Sequence, residues 1–451
     1  MTRGEEVVRH PLSIAGVLIT TSTAVLFIAL LIAVLAGLLD NPYAGLVIFV
    51  AIPALFVSGL LLIPAGAWLQ RRKREQSGVV PEWPVLDFRR PKVRRNVLVF
   101  TALTAANAVI VLLAGYGSLH WMESPSFCGQ VCHTPMHPQF TAWRANGSHP
   151  GVACVSCHIG EGARGFVHAK AAGVRQLAHV VTDSYPRPIP AGAHLAPEAQ
   201  ANACRTCHKS ERVGDRISVT REYADDVANS EAMTVLELHV GAGSESGRAI
   251  HWHANPAVRI EYIATDAGRA TIPYVKVTDA NGRTKEYRTE ETTDELARTT
   301  PLRLMTCVDC HNTVGHPIAP SPERAVDRAI AAGQISRALP FVRRESVRAL
   351  TGPYGDEEDA EAAIDRRLRE LYASGGGPID QQSLERTIAA VRSLYRRNVF
   401  PAMKVTWGSY PDHRSHIDTP GCVRCHDDSH LASDGSTISG DCEYCHKQIE
   451  R

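Results

Sequence analysis

The cysteines of this chain follow one repeated pattern. The 451 residues include 12 cysteines, and all of them lie in six short segments in which two cysteines are followed directly by a histidine. Two residues separate the cysteines in five segments, and three residues separate Cys128 from Cys132 in the first. This pattern is the attachment signature of c-type haem, in which both thiols bond to the porphyrin and the histidine binds iron. It predicts six covalently bound haem c groups.

The motifs name the residues expected to hold these haems. The attachment cysteines are Cys128, Cys132, Cys154, Cys157, Cys204, Cys207, Cys307, Cys310, Cys422, Cys425, Cys442 and Cys445. The proximal iron ligands are His133, His158, His208, His311, His426 and His446. Disulfides and zinc ribbons also use paired cysteines, but neither requires a histidine after every pair. For the first motif, a Cys128 to Cys132 disulfide or a pair of free thiols remains the alternative.

Three apolar segments precede the first motif. They cover approximately residues 12–39, 43–69 and 97–119, and each is long enough to cross a bilayer as a helix. A cleaved signal peptide is the alternative for the first segment, but its apolar run is too long and a second span follows at once. We therefore expect residues 1–120 to anchor the chain in the lipid bilayer of a bacterial cytoplasmic (inner) membrane.

The loop between the second and third segments is rich in Lys and Arg. Such loops stay on the cytoplasmic side, which predicts a cytoplasmic amino terminus and a third helix that leads outward. The haem region after His120 is then expected on the periplasmic side, where bacteria attach haem to c-type cytochromes. The formal net charge is only +1, so we expect no nucleic-acid partner.

The remaining chain divides into three segments by composition. Residues 121–212 contain three motifs and little material for an independent core. Residues 213–300 lack motifs, contain β-rich stretches and include an Asn281-Gly282 pair typical of a hairpin, which predicts a small β insert. Residues 301–451 contain the other three motifs and amphipathic stretches near 322–331, 358–372 and 381–395. The predicted fold class is a membrane-anchored multihaem cytochrome c, with three transmembrane helices before a mainly α, loop-rich, haem-packed periplasmic region.

The sixth iron ligands must come from outside the motifs. The chain has 20 histidines, and this surplus favours six-coordinate irons made for electron transfer. Met136, three residues after His133, is the expected sixth ligand of the first haem, with a core methionine as the alternative. The other expected distal ligands are His149, His253, His316, His416 and His430.

Three further histidines are weaker candidates. His251 is held in reserve for His253, because alternation in an extended strand would put both rings on one face. His168 and His179 share one face of a predicted helix near residues 170–181. For His168 and His179 an ordinary helix-face position near a haem edge is the alternative, and for His149, His316, His416 and His430 the alternative is a solvent-exposed position.

Several stretches resemble a known family. FCGQVCHTPM directly after a membrane anchor, followed by GSHPGVACVSCHIG, resembles the NapC/NirT family of membrane-anchored multihaem cytochromes. IHWHANPAVRIEYIATD, CVDCHNTVGHP and PGCVRCHDDSH resemble a longer branch of it with six haems and three spans. The resemblance implies oxidation of menaquinol or ubiquinol and delivery of electrons to a periplasmic cytochrome or reductase. It carries over Met136 and His149 as distal ligands, whereas the typical member has one span, four haems and ordinary spacing in its first motif.

Three functions are compatible with these patterns. The first is electron transfer from membrane quinol, in which the chain acts as a quinol dehydrogenase subunit. The second is a terminal multihaem reductase with one open iron, and the third is a haem subunit fed by another membrane protein. Quinol oxidation releases protons, so His120 and Glu123, at the end of the third span, are the expected acceptors. The alternative is that His120 and Trp121 belong to an interfacial aromatic belt.

Overall fold

The computed structural model describes residues 10–36, 38–39, 42–77, 88–159, 162–190, 197–209, 213–241, 249–374 and 379–449. The chain forms two compact units, Met1–Cys132 and His133–Arg451. The boundary between them falls inside the first motif, between Cys132 and His133. Each unit has its own packing and is described by itself.

The smaller unit consists of long apolar helices. Its elements are α1 (Pro11–Leu35), α2 (Pro42–Leu46), a π-helical turn (Val47–Ala51), α3 (Ile52–Gln76), α4 (Pro91–Met122) and a second π-helical turn (Phe127–Val131). Three stretches, Pro11–Val34, Ala44–Lys73 and Pro91–Met122, are long and apolar enough to cross a membrane. The three predicted spans are thereby confirmed. Residues 40–41, between the first two spans, lie outside the described residues, as do residues 78–87 of the basic loop.

Helices α1 and α3 pack closely because small residues face each other. A Cβ atom on Gly16 would lie 2.7 Å from the carbonyl oxygen of Gly59, so only glycine permits this approach. The hydroxyl of Ser13 donates to the carbonyl of Ile63 over 3.0 Å. Lipid tails are as apolar as the side chains, so such close packing and interhelical hydrogen bonds hold membrane helices together.

The end of α4 is packed by an aromatic side chain. The Trp121 ring lies directly on Gly45, where an added Cβ would overlap it. Its centre is 6.1 Å from that of Phe49 and 4.8 Å from that of Phe127. The hydroxyl of Ser118 donates to the carbonyl of Phe49 in the π-helical turn. Trp121 therefore links α4 to the turn that carries Cys128, and packs within this unit rather than only at a lipid interface.

The larger unit contains the other helices. They are α5 (His133–Arg144), α6 (Cys154–His158), α7 (Gly162–Val181), α8 (Pro197–Arg205), α9 (Asp294–Thr299), α10 (Pro322–Ala331), α11 (Val342–Leu350), α12 (Glu357–Ser374) and α13 (Gln381–Asn398). Helix α10 begins as predicted, since Ser321 accepts the Arg324 N–H over 3.2 Å. Helices α10 to α13 form the main core, in which Ile364, Leu368 and Val391 are completely buried. Residues 375–378, between α12 and α13, lie outside the described residues.

Two antiparallel sheets complete the larger unit. The first has the order β1 (Arg216–Tyr223), β2 (Glu231–Leu238), β8 (His446–Gln448). The second has the order β6 (Arg303–Leu304), β3 (Arg259–Ile263), β4 (Tyr274–Thr278), β5 (Thr284–Arg288), β7 (Leu431–Ala432). The predicted hairpin at Asn281 and Gly282 joins β4 to β5, with Thr278 opposite Thr284. Strands β7 and β8 come from the end of the chain, so both sheets join residues 213–300 to the region of the last two motifs.

The extended strand expected through His251 and His253 is wrong. Both residues lie in a 3-10 helical turn, Ile250–Ala254. A 3-10 helix has about three residues per turn, so side chains two positions apart point in different directions. The two rings therefore do not share a face.

Candidate haem sites

Five of the six motif histidines have a second histidine opposite them. The distances between ring centres are 5.9 Å for His158 and His316, 5.9 Å for His208 and His149, 6.2 Å for His311 and His251, 5.8 Å for His426 and His253, and 6.0 Å for His446 and His416. An imidazole nitrogen binds a transition metal at about 2 Å, so two rings on opposite sides of one iron have centres about 6 Å apart. The five pairs therefore fit haem irons with two histidine ligands.

The second histidine of each pair comes from a different part of the chain than the motif it faces. His149 lies just before the second motif but faces the third, and His316 follows the fourth motif but faces the second. His416 precedes the fifth motif and faces the sixth. A short segment cannot place a histidine on the far side of its own haem, so each of these residues reaches a neighbouring site.

One short turn serves two sites. His251 lies opposite His311 of the fourth motif, and His253 lies opposite His426 of the fifth. The sequence predicts His251 only as a substitute for His253, because an extended strand would direct both rings to one haem. The His-Trp-His spacing serves one haem in a strand and two haems in a tight turn, so this spacing alone does not distinguish the two cases.

Hydrogen bonds set the proton position on three of these rings. Nδ1 bonds to a main-chain carbonyl in His316 (Gln139, 2.9 Å), His253 (Ile250, 2.8 Å) and His426 (Ser439, 2.9 Å). A carbonyl only accepts, so Nδ1 must carry the proton and Nε2 keeps its lone pair. Histidines that bind metals typically have this arrangement, because the carbonyl fixes both the tautomer and the ring orientation.

Burial disfavours the protonated form of several of these rings. It is the main cause that lowers the pKa of His251, His253, His311 and His316. The pKa of His253 is lowered further by His426 and His251, and the pKa of His311 is lowered further by His251. A metal binds the deprotonated nitrogen of a neutral imidazole, so this environment suits iron ligation.

His430 is in a different setting from the five paired histidines. Its Nδ1 lies 2.8 Å from Oδ1 of Asp427 and its Nε2 lies 2.7 Å from the carbonyl oxygen of Ile272. The side chain is 1% exposed. Both ring nitrogens are thus engaged, and the hydrogen bonds tie the segment after the fifth motif to the start of β4. His179 is exposed and bonds to Ser184, and His168 is exposed.

The first motif lies across the boundary between the two units. Cys128 belongs to the π-helical turn of the smaller unit, whereas His133 and the half-buried Met136 begin α5 of the larger unit. The side chain of His133 lies outside the described residues, so its pairing with Met136 stays a prediction. His120 is exposed at the end of α4 and stacks on Tyr116, with ring centres 6.0 Å apart.

A buried polar network joins the fourth and fifth motifs. Asp309, between the cysteines of the fourth motif, is 1% exposed and accepts the Tyr262 hydroxyl over 2.6 Å and the Arg269 guanidinium. Burial and the Asp309 carboxylate raise the pKa of Tyr262. Arg424, between the cysteines of the fifth motif, donates to the main-chain carbonyl of Asp309. Sequence reasoning missed Asp309 and Arg424 because positions between the cysteines of a motif appear only as spacers.

Comparison with known proteins decides the family. The chain is 37% identical over 451 residues to the cytochrome c-type protein ImcH of Geobacter sulfurreducens, and the match covers 98% of this chain and 88% of that protein. The chain belongs to this family of cytochrome c-type proteins. The predicted fold class is thereby confirmed, and membership implies covalently bound haem c and electron transfer by a multihaem cytochrome. No family model and no solved structure matches the chain.

Proposed function

We propose that this protein oxidises menaquinol or ubiquinol and passes the electrons through six haem c groups to a periplasmic cytochrome or reductase. The observation that carries the proposal is the pairing of five motif histidines with a second histidine at 5.8 to 6.2 Å. An iron with two imidazole ligands has no open position for a substrate. These sites therefore suit electron transfer, and they disfavour a reductase.

The ring pairs support a specific ligand set. The proposed distal ligands are His316 for the second haem, His149 for the third, His251 for the fourth, His253 for the fifth and His416 for the sixth. Met136 is proposed for the first haem, where a thioether ligand would raise the reduction potential. His430 is assigned a structural role instead of the distal position expected from the sequence.

The quinol donor is proposed from topology and likeness. The segment that carries the first two motifs resembles the NapC/NirT family, and the first motif follows directly on α4. Oxidation of one quinol releases two electrons and two protons, so an acceptor is needed where the ring binds. We assign this role to His120 and Glu123, which lie within one helical turn of each other. With a cytoplasmic amino terminus, α4 would deliver these protons to the periplasmic side.

Reduction of the purified full-length protein by a quinol analogue tests the proposal. We expect rapid reduction without a partner protein and an oxidised spectrum with low-spin haem only. If the wild-type protein is not reduced, electrons must enter from another membrane subunit. A high-spin haem in the wild-type spectrum would instead favour a reductase.

Substitutions separate the quinol site from the haems. His120→Ala and Glu123→Gln are each expected to slow quinol-dependent reduction at least about tenfold, because loss of a positioned general base costs that much or more. The matched control is Glu75→Gln, a carboxylate of α3 that pairs with Arg71 and should leave the rate unchanged. Wild-type rates in both test variants, with full haem content, would exclude this assignment.

A further inference from the structure

The second and third attachment motifs are neighbours. Helix α6, formed by the second motif, packs against α8, which contains Cys204 of the third motif. His149, just before the second motif, faces His208 of the third.

The third and fourth motifs are in direct contact. Helix α8, which contains Cys204 of the third motif, packs against the 3-10 turn Cys307–Asp309 of the fourth. The segments in contact are the ones that carry attachment cysteines of the two motifs.

The fourth, fifth and sixth motifs continue the series. Arg424 of the fifth motif donates to the Asp309 carbonyl of the fourth over 2.9 Å. His426 of the fifth motif donates to the Ser439 carbonyl over 2.9 Å, and the Gly440 N–H donates to Asp428 over 2.9 Å. Ser439 and Gly440 lead directly into the sixth motif, so hydrogen bonds between side chains and main chain hold the fifth and sixth motifs together.

Contacts between motifs translate into contacts between haems. Each cysteine is joined to the edge of its porphyrin, so motifs that touch bring neighbouring haem edges together. We propose that the second to sixth haem sites form one series in sequence order, and that electrons leave the protein from the sixth site. The order of sites follows from the contacts, while the direction of flow rests on the function proposed above.

The two ends of this series are consistent with an entry and an exit. His316, opposite the histidine of the second motif, bonds to Gln139 of α5, the helix that begins at the first-motif histidine His133. At the other end, Asp441 and Glu443 on either side of Cys442 are exposed. The alternative to the series is a bypass in which electrons pass directly from the second site to the fourth. Such a bypass would run along His316, which faces the second site and lies five residues after His311 of the fourth motif.

Removal of single haems tests the order. Cys204→Ala with Cys207→Ala removes the third haem, and Cys442→Ala with Cys445→Ala removes the sixth, each verified by the mass of the denatured protein. Electron paramagnetic resonance of the oxidised proteins then reports which remaining haems lose a magnetic neighbour. Loss of the third haem should alter two signals, those of the second and fourth haems. Loss of the sixth haem should alter only the signal of the fifth. The series is wrong if loss of the sixth haem alters two or more signals, or if loss of the third alters only one.

Milder variants cover the case in which a haem-deficient protein fails to fold. His149→Met and His416→Met keep all attachment cysteines and change one iron ligand each, and the same two-against-one pattern is expected in the neighbouring signals. A bypass would add coupling between the second and fourth sites that persists in the variant without the third haem. These spectra need no quinol, so a wild-type protein that quinol fails to reduce would exclude the proposed donor and leave the test of the order intact.

Discussion

Arg424 donates from Nη2 to the main-chain carbonyl of Asp309 over 2.9 Å, and so joins the spacer residues of two haem motifs. Its Nε donates to the Gly421 carbonyl over 2.6 Å and its Nη1 to the Arg269 carbonyl over 3.0 Å. The side chain is 8% exposed. One buried guanidinium therefore satisfies three main-chain carbonyls, and it fixes the fourth motif against the fifth.

We expect Arg424→Met to lower the free energy of unfolding by about 3 kcal/mol or more, because buried carbonyls are left without donors. Arg424→Lys should fall between this variant and wild type, since one ammonium cannot reach all three carbonyls. Denaturant unfolding of the detergent-purified protein measures both. The matched control is Arg283→Met, whose arginine is 79% exposed in an ion pair with Asp279 and should change stability by less than about 1 kcal/mol. Equal effects of the two methionine variants would contradict the role of Arg424.

The 3-10 turn Ile250–Ala254 predicts that substitutions of His251 and His253 change the spectra of two different haems. His251→Ala should convert one haem to high spin, His253→Ala a different one, and the double variant two. If both histidines served one haem, the double variant would show a single high-spin haem. Optical and paramagnetic resonance spectra of the oxidised protein count these species. His430→Ala is the control: both His430 nitrogens are engaged by Asp427 and Ile272, so this variant should lose stability without forming a high-spin haem.

The contact of Trp121 with Gly45 predicts a packing requirement near the first motif. Gly45→Ala should displace the Trp121 ring, because an added Cβ overlaps it, and the Phe127 contact should loosen with it. We expect a lower fraction of protein with a haem at Cys128 and Cys132, measured by mass spectrometry of denatured protein. Gly115→Ala in α4 is the matched control, since an added Cβ there meets no described atom within 4 Å. Equal haem occupancy in both variants would show that Trp121 does not support this site.

We expect acidification to detach His416 from the sixth haem. Burial alone would raise the pKa of Asp412, but hydrogen bonds from the side chain and main chain of Arg414 outweigh burial and lower it. A carboxylate with a lowered pKa stabilises the fold fully above its unfolded value of about 3.9, and this contribution is lost as the pH falls through the folded-state pKa. The Asp412 segment carries His416.

Removal of the arginine should therefore move the acid transition upward. In Arg414→Gln, burial dominates and the pKa of Asp412 rises, so one low-spin haem should convert to high spin at a higher pH than in wild type. A spectrophotometric pH titration measures the midpoint. Arg283→Gln changes a comparable ion pair with Asp279 on the β4–β5 hairpin and should leave the midpoint unchanged. An unchanged midpoint in Arg414→Gln would disprove the link.

Local patterns account for what could be predicted from the sequence. The haem motifs are complete within five or six residues, and the apolar stripes of α12 and α13 are set by helical periodicity, so both are visible without tertiary contacts. Ile364 and Leu368 in the predicted stretch 358–372 and Ile388 in the stretch 381–395 are buried in the core.

Long-range pairing accounts for what was missed. Strands β7 and β8 have only two and three residues, too few for any periodic signal, and they exist because they pair with β5 and β2. The pairing of His149 with the third motif also depends on tertiary packing. Strand β1 alternates apolar with polar residues at its start, but Ile217 and Val219 are exposed in the folded chain, so the strand is held by its pairing with β2 rather than by a buried apolar face.

Strand β8 couples two events in the maturation of the chain. His446 is both the histidine of the sixth motif and a partner of Leu238 in β2. Synthesis produces β2 long before β8, so the newly made sheet has an open edge until the last motif arrives, and open edges invite aggregation. A chain that stalls before the sixth motif keeps this edge exposed to proteases and chaperones. Strand β8 thus brings the histidine of the sixth motif and at the same time covers the open edge of β2.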